Sequence, residues 1–159
     1  MKILVVGGMA GGATAAARLR RLDEQAEIIV LERSEYISSA TCGFPYYVGG
    51  AIAKQSSLNV QTPQSFRSRF NVDVRTGSEA IAIDCEAHTV TVRDGNDTYE
   101  ESYDKLLLSP GAKAIVPPLP GLDLPQVFTV RDVGDTLRLK TYLNQAARPL
   151  SAVVAGGGF

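Results

Sequence analysis

Residues 3–12 read ILVVGGMAGG, and this stretch decides the fold of the whole chain. Its four apolar residues are typical of a short parallel strand that is buried on both faces. The glycines predict a tight turn into the alanine-rich segment 13–22, a helix whose small side chains allow close packing on a sheet. A second apolar run, 27–31, predicts the next strand, and Glu32 follows it. The order of strand, glycine turn, helix, strand and acid is that of a dinucleotide-binding fold.

The glycine turn and the acid have separate tasks in such a fold. Backbone N–H groups at the start of the helix bind a pyrophosphate, and the acid accepts hydrogen bonds from ribose hydroxyls. Glu32 lies 20 residues after Gly12, as that geometry requires. Met9 replaces the middle glycine of the usual motif, so a merely structural turn is the competing interpretation. The two flanking strands and Glu32 favour nucleotide binding.

A second informative stretch surrounds Cys42, where residues 38–50 read SSATCGFPYYVGG. Pro45 suits the first turn of a helix, so we expect Cys42 at a helix N-terminus, where the partial positive charge favours a thiolate. A small buried core residue is the alternative. However, no strand or helix period precedes Cys42, and the nearby glycines indicate close backbone approach to a large flat group. We therefore predict that Cys42 is a redox nucleophile, whereas Cys85 ends an alternating run and is predicted to be a buried core residue.

The remaining chain predicts a mixed α/β protein. An N-capped helix from Thr62 leads to a third strand at 71–75. Three alternating runs then predict an antiparallel meander with a hairpin turn at 94–97, and another buried strand ends before Pro110. The predicted fold is a Rossmann-like dinucleotide-binding fold, with a parallel sheet and an inserted antiparallel β-meander.

The domain organisation follows from the composition of the second half. Residues 1–115 are predicted to form the N-terminal part of a dinucleotide-binding domain, and residues 116–149 a proline-rich connector with an amphipathic helix at 132–147. Residues 150–159 repeat the opening pattern of an apolar strand meeting glycines. We expect them to be the first strand of a second, truncated dinucleotide-binding domain, and the chain to be a fragment of a longer protein.

Composition excludes several classes of function. The 159 residues are 45% hydrophobic and 21% charged, with a net charge of −1, which is ordinary for a soluble protein and argues against nucleic acid as the main partner. Two cysteines give no disulfide framework and fit a reducing compartment, so we expect a cytoplasmic protein. The sequence shows neither metal-ligand spacing nor a run long enough to cross a membrane.

Three motifs together resemble the flavin-dependent pyridine nucleotide-disulfide oxidoreductases. They are the glycine turn with Glu32, the Cys42 stretch, and residues 98–112 with the pattern T-x4-Y-D-x-L-x-x-S-P-G-A. The resemblance covers all 159 residues and is closest to coenzyme A disulfide reductases, including forms fused to a rhodanese domain that act on coenzyme A persulfides or polysulfide. It implies a Rossmann-like FAD/NAD(P)-binding fold, in which residues 1–115 belong to an FAD-binding domain and residues 150–159 begin a truncated NAD(P)-binding domain. It also implies one cysteine beside the flavin and a homodimeric parent enzyme.

Three positions place the chain within this family. Tyr47 stands where glutathione-reductase-like relatives carry a second cysteine, so the redox partner of Cys42 must be a small thiol or an oxygen species. Ala10 stands where NADH oxidases and peroxidases usually carry a histidine, and Thr41 where the family commonly has asparagine. The resemblance thus implies reduction of coenzyme A disulfide, persulfide or polysulfide. Two alternatives are an oxidase or peroxidase that uses a Cys42 sulfenic acid, and a flavin- or nucleotide-binding module without turnover.

The resemblance also implies a role for individual residues, with Cys42 as the catalytic one. The residues implied to contact FAD are Gly7, Gly8, Met9, Ala10, Gly11, Gly12, Glu32, Arg33, Cys42, Ala80, Ser109, Pro110 and Gly111. The residues implied to contact coenzyme A are Thr14, Arg18, Arg21, Ser38 and Thr41. Helical spacing puts the first three of these on one face, where an ordinary solvated surface is the competing interpretation.

Overall fold

The computed structural model describes residues 1–147 and 149–156. Within this part of the chain the strands are β1 (Lys2–Val6), β2 (Glu27–Glu32), β3 (Asp73–Thr76), β4 (Ser78–Asp84), β5 (Thr89–Asp94), β6 (Asp97–Ser102) and β7 (Lys105–Leu108). The α-helices are α1 (Ala10–Leu22), α2 (Phe44–Val48), α3 (Pro63–Phe70) and α4 (Val133–Asn144). None of the helices in the described ranges is long and apolar enough to cross a bilayer.

Four parallel strands form the central sheet in the order β3-β2-β1-β7. Both faces of β1 and β2 are covered, as their continuous apolar runs predict. On one face, Val5 and Val30 pack with Ala16 of α1 and Phe66 of α3. The small side chains of α1 let this helix approach the sheet closely. The predicted fold class is confirmed, with the glycine turn at the carboxyl end of β1.

The antiparallel strands form a second sheet in the order β4-β5-β6. This meander is inserted in the sequence between β3 and β7, but it covers the second face of the parallel sheet and is not hydrogen-bonded into it. Val90 and Val92 of β5 are fully buried and share one core cluster with Leu4, Ile29 and Leu31. The meander therefore covers this face of the parallel sheet, and helices α1 and α3 cover the other face.

The structure differs from the sequence predictions in two strands. β7 is only half-buried, and Leu108 is 57% exposed, because β7 is the outer strand of the described sheet and pairs with β1 alone. Residues 151–156, which the sequence predicts to begin the first strand of a second domain, have no regular structure, and Val153 is 96% exposed. No described strand lies beside this segment to complete its hydrogen bonds. The last three residues of that prediction, 157–159, lie outside the described residues, and the domain boundaries remain predictions.

A cluster of charged side chains fastens the meander to the parallel sheet. The carboxylate of Glu101 on β6 accepts hydrogen bonds from the Lys2 ammonium and the Arg75 guanidinium, on β1 and β3. Glu101 is only 8% exposed. Burial alone would raise its pKa, but the hydrogen bonds and the positive charges of Lys2 and Arg75 outweigh burial, so the pKa of Glu101 lies below its usual range. The ionised form therefore stabilises the fold.

We expect Glu101→Gln to lower the free energy of unfolding by about 1–3 kcal/mol at pH 7, because a neutral amide replaces the charged acceptor of two hydrogen bonds. Since the folded-state pKa of Glu101 is lowered, its stabilisation is present above the unfolded-state pKa and is lost as the pH falls through the folded-state value. Urea unfolding followed by circular dichroism at several pH values measures both effects. The control, Glu100→Gln on the exposed face of the same strand, should change little. An equal loss in both variants would contradict a specific role for Glu101.

Candidate functional site

The glycine turn after β1 is so tightly packed that two of its positions have no room for a side chain. A Cβ atom on Gly12 would lie 1.8 Å from the carbonyl oxygen of Gly7. A Cβ on Gly7 would lie 2.0 Å from the carbonyl oxygen of Ser109, and Gly7 also has a φ of +97°. The turn thus brings the end of β1, the start of α1 and the segment after β7 into direct contact.

The first turn of α1 is suited to bind an anion. Its N-cap residue, Met9, makes no side-chain hydrogen bond to the helix, and the first turn contains no acidic residue. The first N–H groups of a helix have no acceptor within the helix, and the helix dipole adds partial positive charge there. Residues Met9 to Gly12 therefore present backbone donors in the arrangement that binds a pyrophosphate.

Glu32 ends β2 beside this turn and is 6% exposed. Its Oε2 atom accepts the N–H of Gly8 at 2.8 Å, and its Oε1 atom accepts the N–H of Ser34 at 2.9 Å. These two bonds fix the orientation of the carboxylate. Each oxygen keeps a second lone pair, so the carboxylate can still accept hydrogen bonds from ligand hydroxyls.

A cavity of about 90 Å³ opens between the glycine turn and the start of the meander. It is lined by Val6, Gly7, Leu31, Glu32, Arg33, Ser78, Glu79, Ala80 and Pro110. Five of these are residues that the sequence predicts to contact the cofactor, although they come from four separate segments of the chain. The backbone donors, the buried carboxylate and the cavity together fit the pyrophosphate, ribose and base of a dinucleotide.

Cys42 lies in a 3₁₀ turn formed by residues 41–43, and its side chain is exposed. Helix α2 begins two residues later, with Gly43 as N-cap and Pro45 in its first turn. Cys42 therefore precedes the N-cap rather than lying within the helix, as the position of Pro45 requires. Its exposure rules out the alternative of a buried core cysteine.

The loop that carries Cys42 is tied to the glycine turn. Ser38 donates its N–H to the carbonyl oxygen of Gly8 at 2.9 Å. The next residues pair with a second segment, since Ala40 N–H bonds Leu58 O at 2.7 Å and Val60 N–H bonds Ser38 O at 3.0 Å. Ser38 is held at a φ of +47°, in the left-handed region. The backbone thus joins the loop that carries the exposed thiol to the glycine turn.

Cys85 is exposed, in the turn that follows β4, and is not the buried core residue that the sequence predicts. The outer half of β4, including Ile83, is exposed because the core contacts of the meander are made mainly by β5. The alternation that ends at Cys85 therefore does not continue into the core.

Helix α1 carries three exposed residues that the sequence predicts to contact coenzyme A: Thr14, Arg18 and Arg21. Thr41, exposed beside Cys42, and the half-buried Ser38 belong to the loop instead. The bond between Ser38 and Gly8 joins this loop to the beginning of α1. The structure therefore places the five residues in two neighbouring groups.

Arg20, between the two exposed arginines, has a different task. Its guanidinium donates hydrogen bonds to the backbone oxygens of Phe70, Asn71, Asp23 and Glu24. These hydrogen bonds connect the C-terminal end of α1 to the C-terminal end of α3. Arg20 is thus bound to backbone oxygens at the two helix ends, while Arg18 and Arg21 are exposed.

Sequence reasoning missed residues that reach the site from a distance. Ser78 and Glu79 line the cavity, and Glu79 is paired with Arg93 on the neighbouring strand. Arg131 donates its Nε–H to the carbonyl oxygen of Ala112 at 3.0 Å, and a Cβ atom on Gly111 would lie 3.4 Å from its guanidinium. No local pattern predicts this contact, because it depends on how the connector returns to the sheet.

In the described part of the chain, no group of three or more potential metal ligands was found.

The chain belongs to the pyridine nucleotide-disulphide oxidoreductases, since the family of that description matches residues 1–159. Among curated proteins, a coenzyme A disulfide reductase of Staphylococcus haemolyticus is 40% identical over 160 residues. That match covers 99% of this chain but 36% of the relative. The chain therefore spans about a third of the length of the curated relatives that it matches.

Solved structures give the same family. The crystal structure of reduced Bacillus anthracis CoADR-RHD is 53% identical with a TM-score of 0.88, over 91% of this chain and 26% of that one. An NAD-dependent persulfide reductase from A. fulgidus is 33% identical with a TM-score of 0.87, over 91% and 27%. A water-forming NADH oxidase from Lactobacillus brevis is 32% identical with a TM-score of 0.85, over 93% and 33%.

We expect Gly12→Ala to lower the free energy of unfolding by about 1–3 kcal/mol, because the new methyl group meets backbone that cannot move aside cheaply. Gly11→Ala is the matched control. Its methyl group would meet no backbone atom, and the nearest atom, the side-chain oxygen of Ser109 at 2.4 Å, can rotate away. Thermal and urea unfolding measure the difference. An equal loss of unfolding free energy in the two variants would contradict a specific role for the close approach between Gly12 and Gly7.

Proposed function

We propose that this chain is the FAD-binding, thiol-bearing part of an oxidoreductase. In this proposal, electrons pass from NAD(P)H through FAD and Cys42 to coenzyme A disulfide, or to a coenzyme A persulfide or polysulfide. The observation that carries the proposal is an exposed cysteine on a loop hydrogen-bonded to the glycine turn of a dinucleotide fold. The names of the relatives, coenzyme A disulfide reductase and persulfide reductase, support the choice of substrate.

The residues of the site fit FAD. Met9 to Gly12 would bind the pyrophosphate through backbone N–H groups, and Glu32 would accept hydrogen bonds from the ribose. Arg33, Ala80 and Pro110 would border the adenosine part in the cavity. When bound, FAD supplies the relay that accepts a hydride from NAD(P)H and delivers two electrons to sulfur.

The thiol step follows from the chemistry of Cys42. Its thiolate attacks one sulfur of coenzyme A disulfide, the original S–S bond breaks, and one coenzyme A thiolate leaves. The product is a mixed disulfide between Cys42 and the second coenzyme A. Two electrons and a proton then restore the Cys42 thiolate and release the second coenzyme A as a thiol. Tyr47 occupies the position of a second cysteine, so the partner sulfur comes from the substrate.

An oxygen-using reaction through a Cys42 sulfenic acid is the second candidate, and the similarity to an NADH oxidase favours it. Ala10 argues against it, because the first residue of α1 offers no side chain to protonate a departing hydroxide. A binding module without turnover is the third candidate. We place the protein in the cytoplasm, where the thiol stays reduced, and as a homodimer in its full-length form.

The test of the proposed function is the formation of a mixed disulfide. We expect the chain, incubated with coenzyme A disulfide, to carry one coenzyme A on Cys42, detected by mass spectrometry of the intact protein and of its peptides. Cys42→Ser should abolish the adduct, while Cys85→Ser should form it at an unchanged rate. An adduct mainly on Cys85 would contradict the assignment.

The rival reactions give different results in the same assay. Rapid oxidation of Cys42 by peroxide, with no preference for coenzyme A disulfide, would favour the peroxidase reaction. Retention of FAD without any reaction at Cys42 would favour a binding module. The reactions with peroxide and with coenzyme A disulfide are both assigned to Cys42 by comparing the same two cysteine variants.

Arg21→Ala tests recognition of coenzyme A separately from thiol chemistry. A charge-assisted contact between guanidinium and phosphate at a partly exposed site is worth about tenfold in rate or affinity, and it weakens with added salt. We expect mixed-disulfide formation to slow about tenfold with coenzyme A disulfide. The rate with hydroxyethyl disulfide, which has no phosphate, should not change. The control is Arg138→Ala on α4, where the guanidinium pairs with Asp135. An equal loss on both disulfides would mean that Arg21 supports the fold.

A further inference from the structure

Helix α2 is too short to be stable by itself, yet it follows directly after Cys42. It has five residues, and isolated helices shorter than about 12–15 residues are marginal in water. Its order must therefore come from contacts with other elements. Those contacts also determine where Cys42 lies, because Gly43 is the one residue between the cysteine and the helix.

Helix α4 contacts α2 at both of its ends. At the start, Phe44 is 3% exposed and forms a core cluster with Leu58 and Val133, against which Leu137 packs. At the other end, the Nζ atom of Lys140 donates a hydrogen bond to the carbonyl oxygen of Val48 at 2.9 Å.

The contact at Lys140 suits the end of a helix. Val48 is the last residue of α2, so its carbonyl oxygen accepts no hydrogen bond from within the helix. A cation at this position gives that oxygen a donor and interacts favourably with the negative end of the helix dipole. The same ammonium lies 5.9 Å from the centre of the Tyr47 ring, in the range of a cation–π interaction. Val133, Leu137 and Lys140 recur at helical spacing, so one face of α4 makes all of these contacts.

We propose that Lys140 is a positioning residue for Cys42. By bonding the end of α2 from a helix 92 residues further along the chain, it keeps α2 formed and the Cys42 loop aligned with the exposed face of α1. The expected effect of Lys140 on the reaction of Cys42 rests on the proposed function. Its structural part can be tested without that function.

The first measurement is hydrogen exchange of the Gly49 and Gly50 amides, which bond Pro45 O and Tyr47 O at the end of α2. Lys140→Met should speed their exchange about fivefold, since it removes one charge-assisted hydrogen bond. Lys140→Arg, which keeps a cationic donor, should restore slow exchange. Arg138→Met on the same helix should have no effect. Amides of β1 should be unchanged in all three variants.

The second measurement is the rate of mixed-disulfide formation at Cys42, made in a Cys85→Ser background. Lys140→Met should slow the reaction with coenzyme A disulfide about fivefold, because the thiol loses its alignment with the binding face, and leave hydroxyethyl disulfide unaffected. Lys140→Arg should again restore the parent rate.

The two measurements separate the possible failures. Unchanged exchange at Gly49 and Gly50 in Lys140→Met would overturn the proposal, as would an equal rise at β1, which would indicate a general loss of stability. Faster exchange at α2 with an unchanged rate at Cys42 would also overturn it. If the parent chain shows no preference for coenzyme A disulfide, the proposed function fails, and hydrogen exchange alone decides the role of Lys140.

Discussion

The close approach of backbone at Gly7, Gly12 and Ser109 is the constraint on which the rest of the structure depends. A Cβ atom at either glycine would lie within about 2 Å of a carbonyl oxygen. Because the backbones can approach so closely, three segments meet at a single point: the end of β1, the start of α1 and the segment after β7. This convergence places Gly7 in the wall of the cavity that Glu32 and the start of the meander also line. The geometry of the predicted nucleotide site is thus a consequence of close approach between main-chain atoms.

The Cys42 loop depends on the same point, but through weaker connections. One backbone hydrogen bond, from Ser38 to Gly8, joins the loop to the glycine turn, and the bonds to Leu58 and Val60 align it with a second segment. The thiol itself stays exposed, while the hydrophobic contacts of α2 anchor the residues just after it. The loop is thus held by a few hydrogen bonds before the thiol and by hydrophobic packing after it.

Charged residues that look equivalent in the sequence have different tasks in the fold. Arg20 satisfies four backbone oxygens at helix ends, while Arg18 and Arg21 stay exposed. Glu101 is buried between two cations, while Glu100, its neighbour, is exposed. Since neighbouring residues on a helix or strand point in different directions, adjacent charges meet different surroundings. The helical period predicts which of them share a face, but not which partner each one meets.

The sequence by itself determined the local elements of this protein and its family. The apolar runs, the glycine turn, the proline after Cys42 and the Thr62 cap act over a few residues, so β1, α1, β2, α3 and the start of α2 could be predicted from them. The resemblance to flavin-dependent oxidoreductases is confirmed at the level of the family, while the roles of the individual site residues remain predictions. Only the tertiary structure decided that the meander stacks on the parallel sheet, that Cys85 is exposed, and that Arg131 and Lys140 reach the turn after β7 and the end of α2. These features depend on contacts between residues far apart in the chain, and such contacts form only when the elements pack, so no local pattern encodes them.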